Sequence, residues 1–476
     1  MHPRLFLPLP LLLAAAPVSR LAPCVRPTKA NTVVQGEVAI CPGRYRIPDP
    51  DGKGVIVAGS PGTSVNLTGV TLESGDSVPA EYRGAGVVAS GVDRVTITGG
   101  IIRGYQFGVR IDGGSGHLVT GTNLSGSRTA ALRSTPDAFD EGDWLDIFHA
   151  DSAEAYGAGV YLNGTTGAMV RTIKAVQAQN GIMLRDATGT VITDNDVSNN
   201  SGWGISLWHS SHSMIARNAA HHNVRCESPQ YRRGCDSAGI LLREASDSNI
   251  IADNDLSFSG DGFFLSGQPP DVHPSTGNLV VRNDATGAWH NAFESTFSFG
   301  NSFLDNRADS ADYGFWLGYS TANVVAGNLI IGTRTAGVAI EHGQDNIIAR
   351  NTIVGGQVGI RLFAPDTTAR RSRDSDVDGN YLARLDRGVV VQRSERTRLR
   401  GNIFDGAADG LVVDSASADA SVRDNIFLRA SRRFIVADHL DAGGNYWATA
   451  DAASARQQVR GDIRVDPWRP AREAGY

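Results

Sequence analysis

Gly337-Val338-Ala339-Ile340-Glu341 stands fourteen residues before Asn351, and eight residues later Gly359-Ile360-Arg361-Leu362-Phe363 opens the same phrase again. Gly181-Ile182-Met183-Leu184-Arg185 leads to Asn195 at the same fourteen-residue interval. Working outward, a small residue followed by apolar-x-apolar-x begins at Gly86, Gly108, Thr129, Gly159, Gly181, Gly204, Gly239, Gly262, Ala292, Gly314, Gly337, Gly359, Gly388 and Gly410. Most intervals are 22 or 23 residues, with longer ones of 30, 35, 30 and 29. A second phrase, apolar-apolar-x-x-Asn-x-apolar, keeps phase with it at Asn195, Asn218, Asn254, Asn283, Asn306, Asn328, Asn351, Asn380, Asn402 and Asn425.

Alternation with period two marks strands with one buried face. A repeat near 22 residues is too short for a helical hairpin and suits a coil of three short strands. The Asn and Gly residues are expected to supply turns with positive φ. Stacked coils would bury the inward Ile, Val and Leu residues, and aligned Asn side chains would hydrogen-bond along the stack. The pattern resembles the right-handed parallel β-helix superfamily, which includes pectate lyases, polygalacturonases and NosD-type periplasmic proteins. The resemblance covers roughly residues 54–447 and implies an all-β solenoid, but that scaffold carries many activities.

The chain has 476 residues, 20% of them charged, and a formal net charge of −6. This composition excludes wholesale disorder and argues against nucleic acid as the main partner. Lys29, Lys53 and Lys174 are the only lysines, so arginine supplies nearly all the positive charge. Residues 1–23 read as a secretory signal, with Arg4 ahead of an apolar run ending in Ala14-Ala15-Ala16. Export to the periplasm or medium follows, with lipidation at Cys24 a minor alternative. No stretch is long enough for an integral membrane segment. Cys24 lies close to Cys41, and Cys226 lies close to Cys235; the two pairs are expected to form two disulfides in an oxidising compartment.

The remaining organisation is an N-terminal cap over 24–66, the β-helix over 67–447, and a C-terminal cap or tail over 448–476. Capped ends favour a monomer. Breaks in the period place insertions at 134–154, 225–236, 268–274 and 365–374. These flank the Gly-x-x-x-x sheet, so they are expected to rise as walls of a cleft. By parity, the second and fourth residues after each Gly point outward into it. Those columns carry Arg185, Trp208, Arg243, Phe264, Glu294, Trp316, Glu341 and Arg361. Tryptophan faces stack on sugar rings, and arginine forks hold carboxylates or vicinal hydroxyls. The bland alternative is a second core beneath packed loops.

The acid candidates are Glu294, Glu341 and Asp261, with His290 and His342 beside them as substrate-binding groups or bases. Paired carboxylates in an aromatic cleft suit glycoside hydrolysis of a polysaccharide or oligosaccharide. A polysaccharide lyase or uronate C5-epimerase using Arg and His is the second possibility, and a non-catalytic carbohydrate-binding or surface scaffold the third. Asp271-Val272-His273-Pro274 does not reproduce the epimerase Asp-Pro-His-Asp pattern. The NosD resemblance implies a His/Cys/Met copper site, but Met169, Met183 and Met214 are scattered, so neither metal nor cofactor is expected. Calcium on the acid run Asp137, Asp140, Glu141, Asp143 and Asp146 is a minor possibility.

Overall fold

A computed structural model describes residues 24–129, 156–225, 237–267 and 273–475. The expected signal, the acid run and the insertions over 134–154 and 226–236 lie outside these residues, as do 268–272. Two long parallel sheets dominate. One has 19 strands and contains the Gly phrases; the other has 15 three-residue strands preceding the Asn residues. Among the described residues there is one α-helix, Ala452–Gln457, and no helix long and apolar enough to cross a membrane.

The register follows the repeat. Ile182 faces Ile205, then Ile240, Phe263, Phe293, Phe315, Val338 and Ile360 in successive coils. All are inward and fully buried, each contributing about 1.5–3 kcal/mol of apolar burial. The third side begins as a three-stranded sheet of Gly43–Arg46, Val70–Glu73 and Ile101–Arg103, and from Asn123 to Asn328 it consists of single bridges such as Lys174↔Asp196 and Arg307↔Leu329. From Leu329 it fuses with the Gly strand, giving a 13-residue strand Leu329–Glu341 and its successors.

Three expectations need correction. Thr129 opens no coil: Val109 pairs directly with Val160, so one coil joins Gly108 to Gly159. Coiling also begins inside the stretch assigned to the cap, since Thr32 already pairs with Ile56 and Glu37 with Ser64. At the other end, Val459–Arg464 extends the long sheet by pairing with Ile435 and its neighbours. The third concerns turns. Neither the strand glycines nor the stacked asparagines have positive φ; the residue before each Asn does, and it is glycine, as expected, at Gly327, Gly379 and Gly401 but not at Arg217, Asp253, Arg282, Asp305 and Arg350. Glycine opens the strand because a Cβ on Gly181 would lie 2.5 Å from the Gly204 carbonyl oxygen, and one on Gly337 2.7 Å from that of Gly359.

The Asn stack is as expected and extends to Asn445. Asn306 N–H donates to Asn328 Oδ1 at 2.8 Å, and Asn328 N–H donates to Asn351 Oδ1 at 3.0 Å. Asn328 Nδ2 also donates to Phe303 O at 3.0 Å and Asn351 Oδ1 at 2.9 Å, so each side chain closes a turn that has no ladder of its own. A parallel stack, Asn249, Asn278, Asn301, Asn323 and Asn346, lines the turn between the two sheets.

Cys24 and Cys41 form the expected disulfide, beside the Val25↔Ile40 bridge. Among the described residues this is the one disulfide, not the two expected. Cys226 and Cys235, the second expected pair, both lie outside the described residues. The Cys226 to Cys235 disulfide is therefore not part of the structure described.

Candidate functional site

The outward face of the long sheet is two surfaces, not one cleft. Toward the N-terminus Phe107, Tyr156, Tyr161, Met183, Trp203, Trp208, Leu241 and Phe264 form a second buried apolar cluster. Phe264 is therefore a core residue, not a substrate contact. Arg243 is likewise buried, donating to Gly267 O at 2.6 Å and paired with Glu244 at 2.7 Å. Trp208 lies under the Arg185 guanidinium, 4.5 Å from its ring centre, and stacks on His209 at 4.2 Å. Arg185 keeps a partly exposed position. His273, from the insertion at 268–274, stands 5.8 Å from His209.

Asp261, His290 and Glu294 meet at the middle of the sheet. They offer ligand-type atoms all within 4.8 Å of one another, and all three are buried. Asp261 Oδ1 accepts the Asn291 N–H at 2.8 Å and lies 3.4 Å from His290 Nδ1. The Asn291 amide nitrogen reaches Glu294 Oε2 and lies 3.1 Å from His290 Nδ1. Asp261 and Glu294 thus approach one another as closely as a carboxylate pair in an enzyme, but at 0% and 1% exposure they lie below the surface rather than in an open cleft.

The next coils are more open. Trp316 is half-buried, packed on Tyr313 at 4.8 Å and Phe363 at 6.0 Å. Gly318 lies directly opposite Glu341 in the adjacent strand, with the Trp316 indole packed close over it: a Cβ there would lie 3.2 Å from Trp316 Nε1. Glu341 is 18% exposed in its side chain, and burial pushes its carboxyl above the usual range, an effect the Arg361 charge only partly offsets. Arg361 is partly exposed, lies 4.1 Å over the Phe363 ring and donates to Gln392 Oε1 at 3.1 Å. His342 is buried beneath Glu341, stacked on Tyr319 at 4.4 Å and 2.7 Å from Thr368 Oγ1. Burial, reinforced by the Arg370 and Arg393 charges, holds its imidazole below the ordinary histidine value.

Thr368 and Arg370 belong to the insertion at 365–374, and Arg370 stands 5.5 Å from the Tyr319 ring centre. Through these two residues the insertion touches His342 and Tyr319 at the edge of the sheet. Tyr319, Thr368 and Arg370 were missed because they fall outside the two outward columns, whereas Gln392, the fourth residue after Gly388, lies in one of them beside Phe363. The insertion length was the signal for Thr368 and Arg370, and the Gly388 phrase for Gln392; Tyr319 gave none. Glu294 and Glu341 differ by two coils and two strand positions, which puts their Cα atoms about 12 Å apart. The implied copper set does not converge: Met183 is in the apolar cluster, whereas Met169 and Met214 are exposed on the other sheet.

A fold of stacked three-sided coils with internal Asn stacks defines a right-handed parallel β-helix protein. Residues 140–330 match the right handed beta helix region model. Residues 296–455 match the model described as periplasmic copper-binding protein (NosD). Among solved structures the chain resembles the A-module of the Azotobacter vinelandii mannuronan C-5 epimerase AlgE6, at 12% identity and TM-score 0.44, covering 77% of this chain and 90% of that one. A variant of the periplasmic alginate epimerase AlgG aligns at 15% identity and TM-score 0.42, over 83% and 85% of the two chains. PfbA, a surface adhesin of Streptococcus pneumoniae, aligns at 11% identity and TM-score 0.39, over 84% and 85%. No curated protein matches.

Proposed function

We propose that this chain is an exported carbohydrate-active enzyme, a glycoside hydrolase whose proton donor is Glu341. One observation carries the reading: Glu341 is a carboxyl open enough to touch a ligand yet held above the usual carboxylate range by burial. A carboxyl that holds its proton to higher pH than an ordinary carboxylate can protonate a glycosidic oxygen as the bond breaks. The Trp316 ring offers an apolar face to a sugar, and Arg361 and Arg370 stand at the edge to bind hydroxyl or carboxylate groups. Glu294 stands beside Trp316 on the adjacent strand, but it and Asp261 are buried, and in this reading neither takes the acid role. Export to the periplasm or medium is supported by the Cys24–Cys41 bridge, a bond favoured outside the reducing cytosol.

The two arginines favour a second reading, elimination or epimerisation at a uronic acid, in which a guanidinium neutralises the sugar carboxylate. The deciding experiment incubates the full chain with neutral and uronic polysaccharides and follows reducing ends and ultraviolet absorbance together. Hydrolysis gives reducing ends without an absorbing product, whereas elimination gives both. Epimerisation changes neither and is read by NMR of the polymer. Glycan binding with no product of any kind defeats both readings and leaves a scaffold.

A further inference from the structure

We propose that Asp261, His290 and Glu294 form a binding site for one divalent first-row transition ion, with Zn²⁺ the best fit. The three side chains come from neighbouring strands of the long sheet and converge within 4.8 Å. His290 Nδ1 and Asp261 Oδ1 are 3.4 Å apart, matching the edge of about 3.4 Å for a tetrahedral ion with bonds of about 2.0–2.1 Å. A second observation is independent of this convergence. The fully buried Asp261 Oδ2 has no hydrogen-bond partner among the described residues, and neither does the fully buried Asn291 Oδ1 on the adjoining strand. Buried oxygens without donors are costly, and a cation is the partner that acceptor-only groups can share.

The surroundings also set the state of the imidazole. The Asn291 amide nitrogen lies 3.1 Å from His290 Nδ1 and can only donate to it, so that ring nitrogen is unprotonated, and an ion would take over the lone pair that now accepts the amide. An unprotonated ring nitrogen is the form in which histidine ligates metals. Two carboxylates and one imidazole form a borderline donor set without sulfur. That set suits Zn²⁺ or Mn²⁺ better than Cu⁺, and the imidazole disfavours Ca²⁺ and Mg²⁺. An ion here would tie the coil of Asp261 to the coil of Glu294 where the sealed part of the face gives way to the open part. This site is separate from Glu341, so neither proposal depends on the other.

The test is equilibrium dialysis and calorimetry on the full chain after chelator treatment, titrated with Zn²⁺. The expected result is one ion per chain, with Tm raised by about 3 °C at a hundredfold excess over Kd. Asp261→Asn and His290→Gln are each expected to weaken binding at least about tenfold. His222→Ala should leave affinity unchanged, because the exposed pair of His221 and His222 is the obvious competing surface site. Should a site variant fail to fold, X-ray absorption of the Zn²⁺-loaded wild type decides: a nitrogen/oxygen shell with one imidazole supports the site. Absence of stoichiometric binding, a shell with several imidazoles, or loss of binding in His222→Ala alone would overturn it.

Discussion

Two stretches of one sheet face have nearly the same backbone and opposite fates. In the coils from Phe107 to Phe264 the outward positions carry Tyr161, Met183, Leu241 and Phe264, and they are buried as a second core. In the coils from Tyr313 to Gln392 the same columns carry Trp316, Glu341 and Arg361, and they stay partly open. Strand register places a side chain on a face; it does not determine whether that face meets water. An aromatic column is therefore ambiguous between a sugar platform and a core, and the charged residues interleaved with it decide which it becomes.

The sharpest way to break this comparison is Glu341→Gln. If the open coils carry the chemistry, turnover on a cleaved glycan falls about 10²- to 10⁴-fold, the range of general-acid catalysis, while glycan binding persists. Unchanged turnover would falsify the assignment of Glu341. Phe264→Ala probes the sealed coils and should do the reverse. A large buried aromatic is removed, so stability drops by about 3–5 kcal/mol in a denaturant titration, with turnover per folded molecule preserved. Trp316→Ala lies between the two: loss of a stacking face should weaken glycan affinity by about 1 kcal/mol, read as a several-fold rise in Kd. Weakening of glycan binding by Phe264→Ala and not by Trp316→Ala would reverse the two regions.

The fold was legible because its repeat is a physical necessity. Each coil must bury Ile182-type residues and must satisfy a turn carbonyl with an Asn amide, and both demands recur every turn of chain. Glycine at Gly181 and Gly337 was legible as a pattern but not in its cause, because a close approach between coils leaves the same trace as a turn. The site was less legible. Glu341 and Trp316 could be read from parity, but the burial of Glu294, Asp261 and Arg243 depends on packing from outside their own coils, which a local pattern does not encode. The parallel stack headed by Asn249 escaped notice because Ser213 occupies the corresponding place one coil earlier. Arginine abundance suggested ligand binding, yet many arginines hold the exterior together. Arg282 pairs with Asp253, and Arg396 and Arg398 pair with Asp374 and Asp376, each across one coil. Such exposed pairs contribute little stability.

The smallest expected effect sharpens the comparison most, because it reads Glu341 without any substrate. Its folded carboxyl holds a proton to higher pH than the ordinary value of 4.5. Between that value and the raised one, the native state binds more protons than the unfolded chain, so stability falls as pH rises through the interval. The contribution is complete below about 4.5 and is lost above the raised value. His342 acts in the opposite sense. Held below 6.5, it gives stability that is present above that value and lost as pH falls through its depressed one. His342 Nδ1 lies 3.2 Å from Glu341 Oε1, so the two titrations are coupled and wild-type unfolding alone does not separate them. Subtracting the stability profile of the Glu341→Gln, His342→Gln double variant from that of His342→Gln isolates the carboxyl. The difference should decline with rising pH above about 4.5; a flat difference would place Glu341 in a water-like environment and remove the reason for choosing it as the acid.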